Sequence, residues 1–165
     1  RREPVPDEVA ARLEADERVL ATATLSPAGR LVVTSWGIWA PGSNPERIGW
    51  HEIAKATWEG GALVVIPTTA REVGAGTVLL TDRSALRFRL DDPGRVPQTV
   101  HERVTGSIRS RSHRDLPRGG AWVLQRKVPG RDGMQTQVWA DPGTDPEAVE
   151  RLAVGVAERI GDVRE

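Results

Sequence analysis

The chain of 165 residues contains no cysteine and no tyrosine, and it has only one phenylalanine and one methionine. The absence of cysteine excludes disulfide bonds, thiolate metal sites and a cysteine nucleophile. No apolar run approaches the roughly 18 residues that a membrane-spanning helix needs, and no charged segment followed by an apolar one opens the chain. These absences predict a cytoplasmic protein without a transmembrane segment. The length suits one domain, or one domain with an extension.

The net charge is zero, but the charges are distributed unevenly. Residues 83–131 contain 12 basic and four acidic residues, a net charge of +8, whereas residues 132–165 contain three basic and eight acidic residues, a net charge of −5. Such a split can mark an anionic partner or two surfaces that attract each other within the fold. Because the positive charges are spread over predicted strands, a helix and turns, we favour the second interpretation. Nucleic-acid binding through residues such as Arg109 and Arg111 is the weakest hypothesis, because no aromatic residues are interleaved with them to stack on bases.

One stretch, residues 47–59, predicts how a sheet turns a corner. It indicates a strand, a tight corner and a second strand, in which Ala54, Ala56 and Trp58 alternate with polar residues. The pair Gly60-Gly61 follows as a turn and leads into an apolar strand.

The rest of the chain predicts more strands than helices. We expect a short helix over 3–15, a hairpin of strands 17–25 and 31–40, a loop over 67–76, a hairpin of strands 77–81 and 85–90, a helix over 97–111, a hairpin of strands 121–128 and 134–140, and a helix from 145 to 161. In the second strand, Gly37 indicates a place where the sheet bends or where another backbone passes close by. The expected fold class is α+β and mainly β. It consists of a seven-stranded barrel with its capping helix over residues 1–115, and a β-β-α extension over 116–165 packed on it as one compact unit.

The corner carries a family resemblance through Ile48, Gly49, Trp50 and Ile53, which lie between the third strand and the next. With the seven strands and the following helix, it resembles the pleckstrin-homology-like (PH-like) barrel in its bacterial form, as found in high-GC bacteria. The resemblance implies a binding scaffold more than an enzyme, with lipid headgroups or peptides as the ligands known for such barrels. Phosphoinositide binding would need several basic residues at the first hairpin turn, and this chain has only Arg30 there.

Four residues are candidates for a surface that binds a protein partner or a second copy of the chain. Trp39 and Trp139 lie on the opposite phase of their strands from the apolar residues, so they are expected to be exposed, unless the tail hairpin and the last helix cover them. Trp36, Trp58 and Trp122 are expected in the core. Arg87 and Arg89 alternate with apolar neighbours and are predicted to face water.

No motif predicts catalysis, a cofactor or a metal. His51, His101 and His113 each have an acidic residue within two positions, but none is spaced from another histidine as metal ligands on a helix are. The alternative hypothesis is a flavin-binding split barrel, because residues 19–25, with the Gly-Arg turn that follows, also resemble the start of FMN-dependent oxidoreductases. Absorbance in the flavin bands after incubation with FMN would distinguish the two hypotheses.

Overall fold

The computed structural model describes residues 4–164. The fold is α+β and mainly β, with 46% strand and 23% helix. The strands are β1 (Val19–Thr24), β2 (Arg30–Thr34), β3 (Gly37–Trp39), β4 (Arg47–Gly49), β5 (Ile53–Glu59), β6 (Ala62–Gly74), β7 (Thr77–Asp82), β8 (Leu86–Arg89), β9 (Ile108–Leu116), β10 (Gly119–Lys127) and β11 (Met134–Ala140). The helices are α1 (Asp7–Ala10), α2 (Val96–Ser107) and α3 (Pro146–Arg164), and Trp50–Glu52 forms a 3₁₀ turn.

The chain divides into two compact units. The first unit comprises the residues up to 67 together with Ser84–Ser107, and the second comprises Thr68–Arg83 together with the residues from 108 onward. The chain passes from one unit to the other within β6. The domain ranges 1–115 and 116–165 stay a prediction, since the compact units follow a different division, in which β7 and β9 belong with β10 and β11.

The first unit holds two sets of strands and a helix around one core. Strands β1 to β4 form an antiparallel sheet in chain order, and β6 pairs with β5 on one side and with β8 on the other. Helix α2 contributes Val96, Val100 and Val104 to the same buried cluster as the apolar residues of these strands. These three valines form an apolar stripe along α2 that packs against the strands.

The predicted corner is confirmed, with β4, the 3₁₀ turn and β5 in that order. The Glu52 carboxylate accepts the backbone N–H of Gly49 at 2.8 Å, which holds the turn closed. Trp50 is buried, and its indole N–H donates to the carbonyl of Thr34 at 3.2 Å. The corner is thus a packing feature of the core.

The strand predicted over 31–40 is instead a tight hairpin of β2 and β3, in which Val32 lies opposite Trp39. The hydroxyl of Thr34 accepts the backbone N–H groups of Trp36 and Gly37 at 3.0 and 3.2 Å, so a side-chain turn interrupts the strand. The reversal changes which residues share a face, and Val32 and Trp39 enter one cluster with Val9 of α1.

Trp39 was expected to be exposed and Trp58 to be buried, and both expectations are wrong. Trp39 is 4% exposed because the hairpin turns it toward the N-terminal segment. Trp58 is 41% exposed because it lies at the end of β5, next to the Gly-Gly turn. Trp36 and Trp122 are half-buried, not fully in the core.

The second unit is a sheet of order β6-β7-β11-β10-β9, with α3 packed on one face. Strands β7 and β11 run parallel, and the other neighbours run antiparallel. The predicted hairpin of β10 and β11 and the final helix are confirmed. The carboxylate of Asp145 accepts the N–H of Glu147 at 3.3 Å at the start of α3, and the helix continues past the predicted stop at Gly161 to Arg164.

Several other boundaries differ from the prediction. The loop expected over 67–76 is mostly the second half of β6, which pairs with β7. Strands β7 and β8 do not pair with each other, because each pairs with a different part of β6. The helix expected over 97–111 ends at Ser107, and β9 begins at Ile108. The N-terminal helix is a single turn over Asp7–Ala10; the predicted start at residue 3 lies outside the described residues.

Arg126 on β10 is a buried cation, with 1% of its surface exposed. Its Nη1 lies 3.5 Å from Oε1 of Gln137 on β11. Desolvation by burial lowers the pKa of Arg126 from its ordinary value to about 10, so the site disfavours positive charge without removing it at neutral pH.

We expect an Arg126→Lys variant to become more stable as the pH rises from 7 to 10. Burial would lower the pKa of the new lysine from about 10.4 to about 8 in the folded state only. The cost of burying the charged lysine destabilises the folded state fully at pH values below the folded-state pKa. This cost disappears at pH values above the unfolded-state pKa, where the lysine is neutral in both states. Urea unfolding at several pH values should show a relative gain of about 2 kcal/mol. Arg131→Lys, in the exposed turn between β10 and β11, serves as the control. Parallel curves of unfolding free energy against pH for the two variants would contradict the expectation.

Candidate interaction surface

Strand β9 is an exposed edge of the second unit. It is nine residues long, and among the described strands it pairs only with β10. Seven successive residues, Arg109–Asp115, are exposed. An edge strand of this length offers a row of backbone hydrogen-bonding groups to any segment that can pair with it.

The hydrogen bonding of the sheet shows which backbone groups of β9 point outward. Ala121 lies opposite Ala140, and the N–H of Asp141 donates to the carbonyl of Gly120 at 2.9 Å. In an antiparallel pair this pattern directs even-numbered residues of β10 toward β11 and odd-numbered residues toward β9.

The register between β10 and β9 extends this alternation to the edge. Ser110, Ser112 and Arg114 lie opposite odd-numbered residues of β10, so their backbone groups bond to that strand. The N–H and C=O groups of Arg111, His113 and Asp115 consequently point toward the open side.

A mainly apolar groove of about 320 Å³ lies beside this edge, on the face of the sheet that packs against α3. Its lining residues come from β9, β10 and α3, and they are Arg114, Val123, Gln125, Val156, Arg159, Ile160 and Val163. Val163 is 87% exposed. Ser110 and Ser112 lie opposite the two groove residues of β10, so only short side chains separate the groove from the open edge.

The two faces of β9 differ in chemistry. Ser110, Ser112 and Arg114 lie on the groove side, because residues directly opposite each other in a sheet share a face. Arg111 and His113 lie on the other side. There the His113 ring packs edge-on against the Trp122 indole, with the two ring centroids 4.9 Å apart. The edge therefore combines an apolar groove, lined also by Arg114 and Arg159, on one face with Arg111 and the His113–Trp122 contact on the other.

His113 fixes the second half of β9 to its neighbours. Its Nε2 lies 2.7 Å from the carboxylate of Asp141, and its Nδ1 lies 3.6 Å from that of Asp115. Held by two carboxylates and an aromatic ring, this histidine is suited to keep the edge strand in place, and it has the geometry of an anchor more than of a proton carrier. Within residues 4–164, no group of three or more His, Asp or Glu side chains is arranged to hold a metal ion.

The four residues predicted to bind a partner are distributed over both compact units. Trp39 is buried in the first unit, where its indole N–H donates to Glu17 at 2.9 Å. Arg87 and Arg89 are exposed on β8, as predicted, with Arg87 3.5 Å from Glu59 and Arg89 donating to the carbonyl of Gly60 at 3.2 Å. Trp139 is half-buried in the second unit and donates to Asp82 at 2.7 Å. A role for these residues in partner binding stays a prediction.

The single basic residue of the first hairpin turn is already engaged. The Arg30 guanidinium donates to the hydroxyls of Thr22 and Thr24 at distances of 2.8 to 3.3 Å. A phosphate group at this turn would have to compete with both threonines.

The edge strand could have been found from the sequence. Arg and Ser alternate from Arg109 to Ser112, which is the period-2 pattern of a strand. The apolar ladder of α2 continues in phase to Ile108 and obscures the point where the helix ends.

No protein family, no characterised protein and no solved structure matches this chain. Among the described residues, no helix has both the length and the apolar character needed to cross a bilayer.

Proposed function

We propose that this chain is a protein-interaction domain that binds an extended segment of a partner protein as an added strand along β9. The observation that carries the proposal is the nine-residue exposed edge, which lies directly beside an apolar groove. In strand addition, backbone hydrogen bonds supply much of the affinity, and pockets for alternate side chains supply specificity. The edge provides the backbone hydrogen-bonding groups, and the groove provides a pocket for side chains.

As part of the same proposal, we assign the first unit to the PH-like barrels. Its four-stranded antiparallel sheet, its three further strands and its closing helix are in the order expected for that fold. A bridge between Leu25 and Leu90 joins the end of β1 to the residue after β8. Such barrels serve as binding scaffolds, and the absence of a basic cluster at Arg30 favours peptide over headgroup as the ligand class.

A library of random peptides displayed on phage tests strand addition without assuming the chemistry of the partner. Selected peptides are expected to bind the native chain and an Arg111→Ala variant, and to bind an Arg111→Pro variant about tenfold more weakly. Proline removes the outward N–H of this residue but no bond to β10, and one backbone hydrogen bond contributes about 1 kcal/mol. The alanine variant controls for the loss of the side chain.

Two results would overturn the proposal. One is that repeated selection yields no peptide that binds the native chain. The other is that the proline and alanine variants bind every selected peptide equally. If Arg111→Pro does not fold, as judged by circular dichroism, the comparison of Asp115→Pro with Asp115→Ala removes a second outward N–H and asks the same question.

A further inference from the structure

We infer that the segment bound at β9 is acidic, with acidic and apolar side chains at alternate positions. This inference rests on the proposed function and names the chemistry of the partner. A strand paired with β9 alternates its own side chains between the two faces of the sheet. Each face of the edge therefore selects every second residue of the partner.

The groove side selects apolar residues. Partner side chains opposite Ser110 and Ser112 point toward the groove, whose wall includes Val123, Val156 and Ile160. Because the serines are short, an apolar side chain of the partner can pass over them and remove part of this wall from water. The exposure of Val163 extends the same apolar surface toward the end of α3.

The opposite side selects acidic residues. Partner side chains opposite Arg111 and His113 lie on the face that carries those two basic groups. On this face Arg111 is an exposed cation, while His113 is held by Asp115 and Asp141. Two further arginines, Arg114 and Arg159, lie among the lining residues of the groove. Carboxylates across from arginines form charge-assisted hydrogen bonds, and opposite charges across strands are favourable.

The same charges disfavour a second copy of the chain as the occupant. Antiparallel pairing of β9 with β9 would bring three arginines of one strand against three of the other, with one aspartate from each. Like charges opposite each other destabilise a sheet, and arginine or lysine on an edge strand is a common way to prevent self-pairing. Nucleic acid would match the charge, but it would leave the apolar groove beside the edge unused.

Synthetic peptides of about eight residues, the length of an ordinary strand, test this inference. The first alternates Glu with Val, the second has Gln in place of every Glu, and the third has Ser in place of every Val. We expect the first peptide to bind, and each of the other two to bind about tenfold more weakly, because each lacks the groups that one face of the edge recognises. Binding of the first should also weaken about fivefold between 50 and 300 mM salt.

Variants of the chain assign the effects to the two faces. Arg111→Gln should reduce the preference for Glu over Gln, and Ile160→Ser, at a partly exposed residue of the groove, should reduce the preference for Val over Ser. Arg95, an exposed arginine of the first unit that is not among the predicted partner-binding residues, provides the matched control as Arg95→Gln, which should change neither preference.

The outcomes separate this inference from the proposed function. If the Gln peptide binds as well as the Glu peptide, and Arg111→Pro still weakens both, strand addition holds and the acidic partner is wrong. If none of the three peptides binds while library-selected peptides still bind Arg111→Pro more weakly than Arg111→Ala, the acidic partner is wrong and strand addition holds. If Arg111→Pro has no more effect than Arg111→Ala on any peptide, the proposed function fails as well. If a thymidine oligonucleotide of equal charge binds more tightly than the Glu peptide, and does so through Arg111, the edge recognises phosphate and the inference is overturned.

Discussion

A Gly37→Ala substitution is expected to destabilise the first unit by about 3 kcal/mol or more, the upper range for overpacking a core. A Cβ at this position would lie 2.1 Å from the carbonyl oxygen of Ile48 and 2.9 Å from the Cα of Gly49. Both atoms belong to the backbone of β4, so no side chain can rotate away to make room. Strand β4 would have to move, and its pairing with β3 would be lost or distorted.

Urea unfolding monitored by tryptophan fluorescence measures this effect. Gly106→Ala is the matched control, because nothing lies within 4 Å of a Cβ at that helical position, and alanine there should stabilise α2 by about 0.5 to 1 kcal/mol. Opposite signs for the two substitutions are therefore expected. A Gly37→Ala variant as stable as the native chain would show that β3 and β4 do not approach as closely as described.

A Glu17→Ala substitution is expected to cost about 4 kcal/mol, as the removal of one partner from a buried ion pair does. The Glu17 side chain is fully buried. Its carboxylate accepts hydrogen bonds from the Thr34 hydroxyl at 2.6 Å, the Trp39 indole at 2.9 Å and the Arg47 guanidinium at 2.7 Å. The backbone N–H of Glu14 also donates to it at 3.1 Å. Removing the carboxylate leaves four donors without this acceptor, one of them a cation that is itself mostly buried.

Two further variants define the origin of this loss. Glu17→Gln keeps the shape and one acceptor oxygen but removes the charge, so it should lose about half as much stability. Glu14→Ala changes an exposed neighbour that contributes only its backbone N–H to the network, and it should stay within about 0.5 kcal/mol of the native chain. A Glu17→Ala variant with native stability would contradict the account of this network.

The features that the sequence predicted well are local ones. The corner of residues 47–59 is marked by alternation and by the Gly-Gly turn. Gly37 indicated either a bend in the sheet or the close approach of another backbone, and the structure shows the approach of β4. The β10–β11 hairpin is marked by its turn residues, and α3 by Asp145 and Pro146. Each of these signals lies within a few residues of the structure that it specifies.

The features that were missed depend on distant parts of the chain. The parallel pairing of β7 with β11 joins strands more than 50 residues apart, and nothing near Thr77 indicates it. Burial of Trp39 requires both the hairpin at Thr34 and the distant carboxylate of Glu17, and a lone glutamate in a polar segment is almost never fully buried unless it is paired.

The candidate surface was missed for a different reason. Its basic residues were noticed as part of a net charge of +8 over residues 83–131, but they were interpreted as dispersed. Only the sheet register places Arg111, His113 and the groove on two faces of one edge strand. A register of this kind is set by the pairing of whole strands and is not written in any short motif.

Amide hydrogen exchange on β9, measured by NMR with and without a selected peptide, tests the central claim most directly. In the free chain, the amides of Arg111, His113 and Asp115 point outward and should exchange quickly, whereas that of Ser112 is bonded to β10 and should exchange slowly. At saturating peptide, strand addition predicts that the three outward amides slow by about tenfold or more, while Ser112 changes little. Unchanged exchange of the outward amides in the saturated complex would contradict the account.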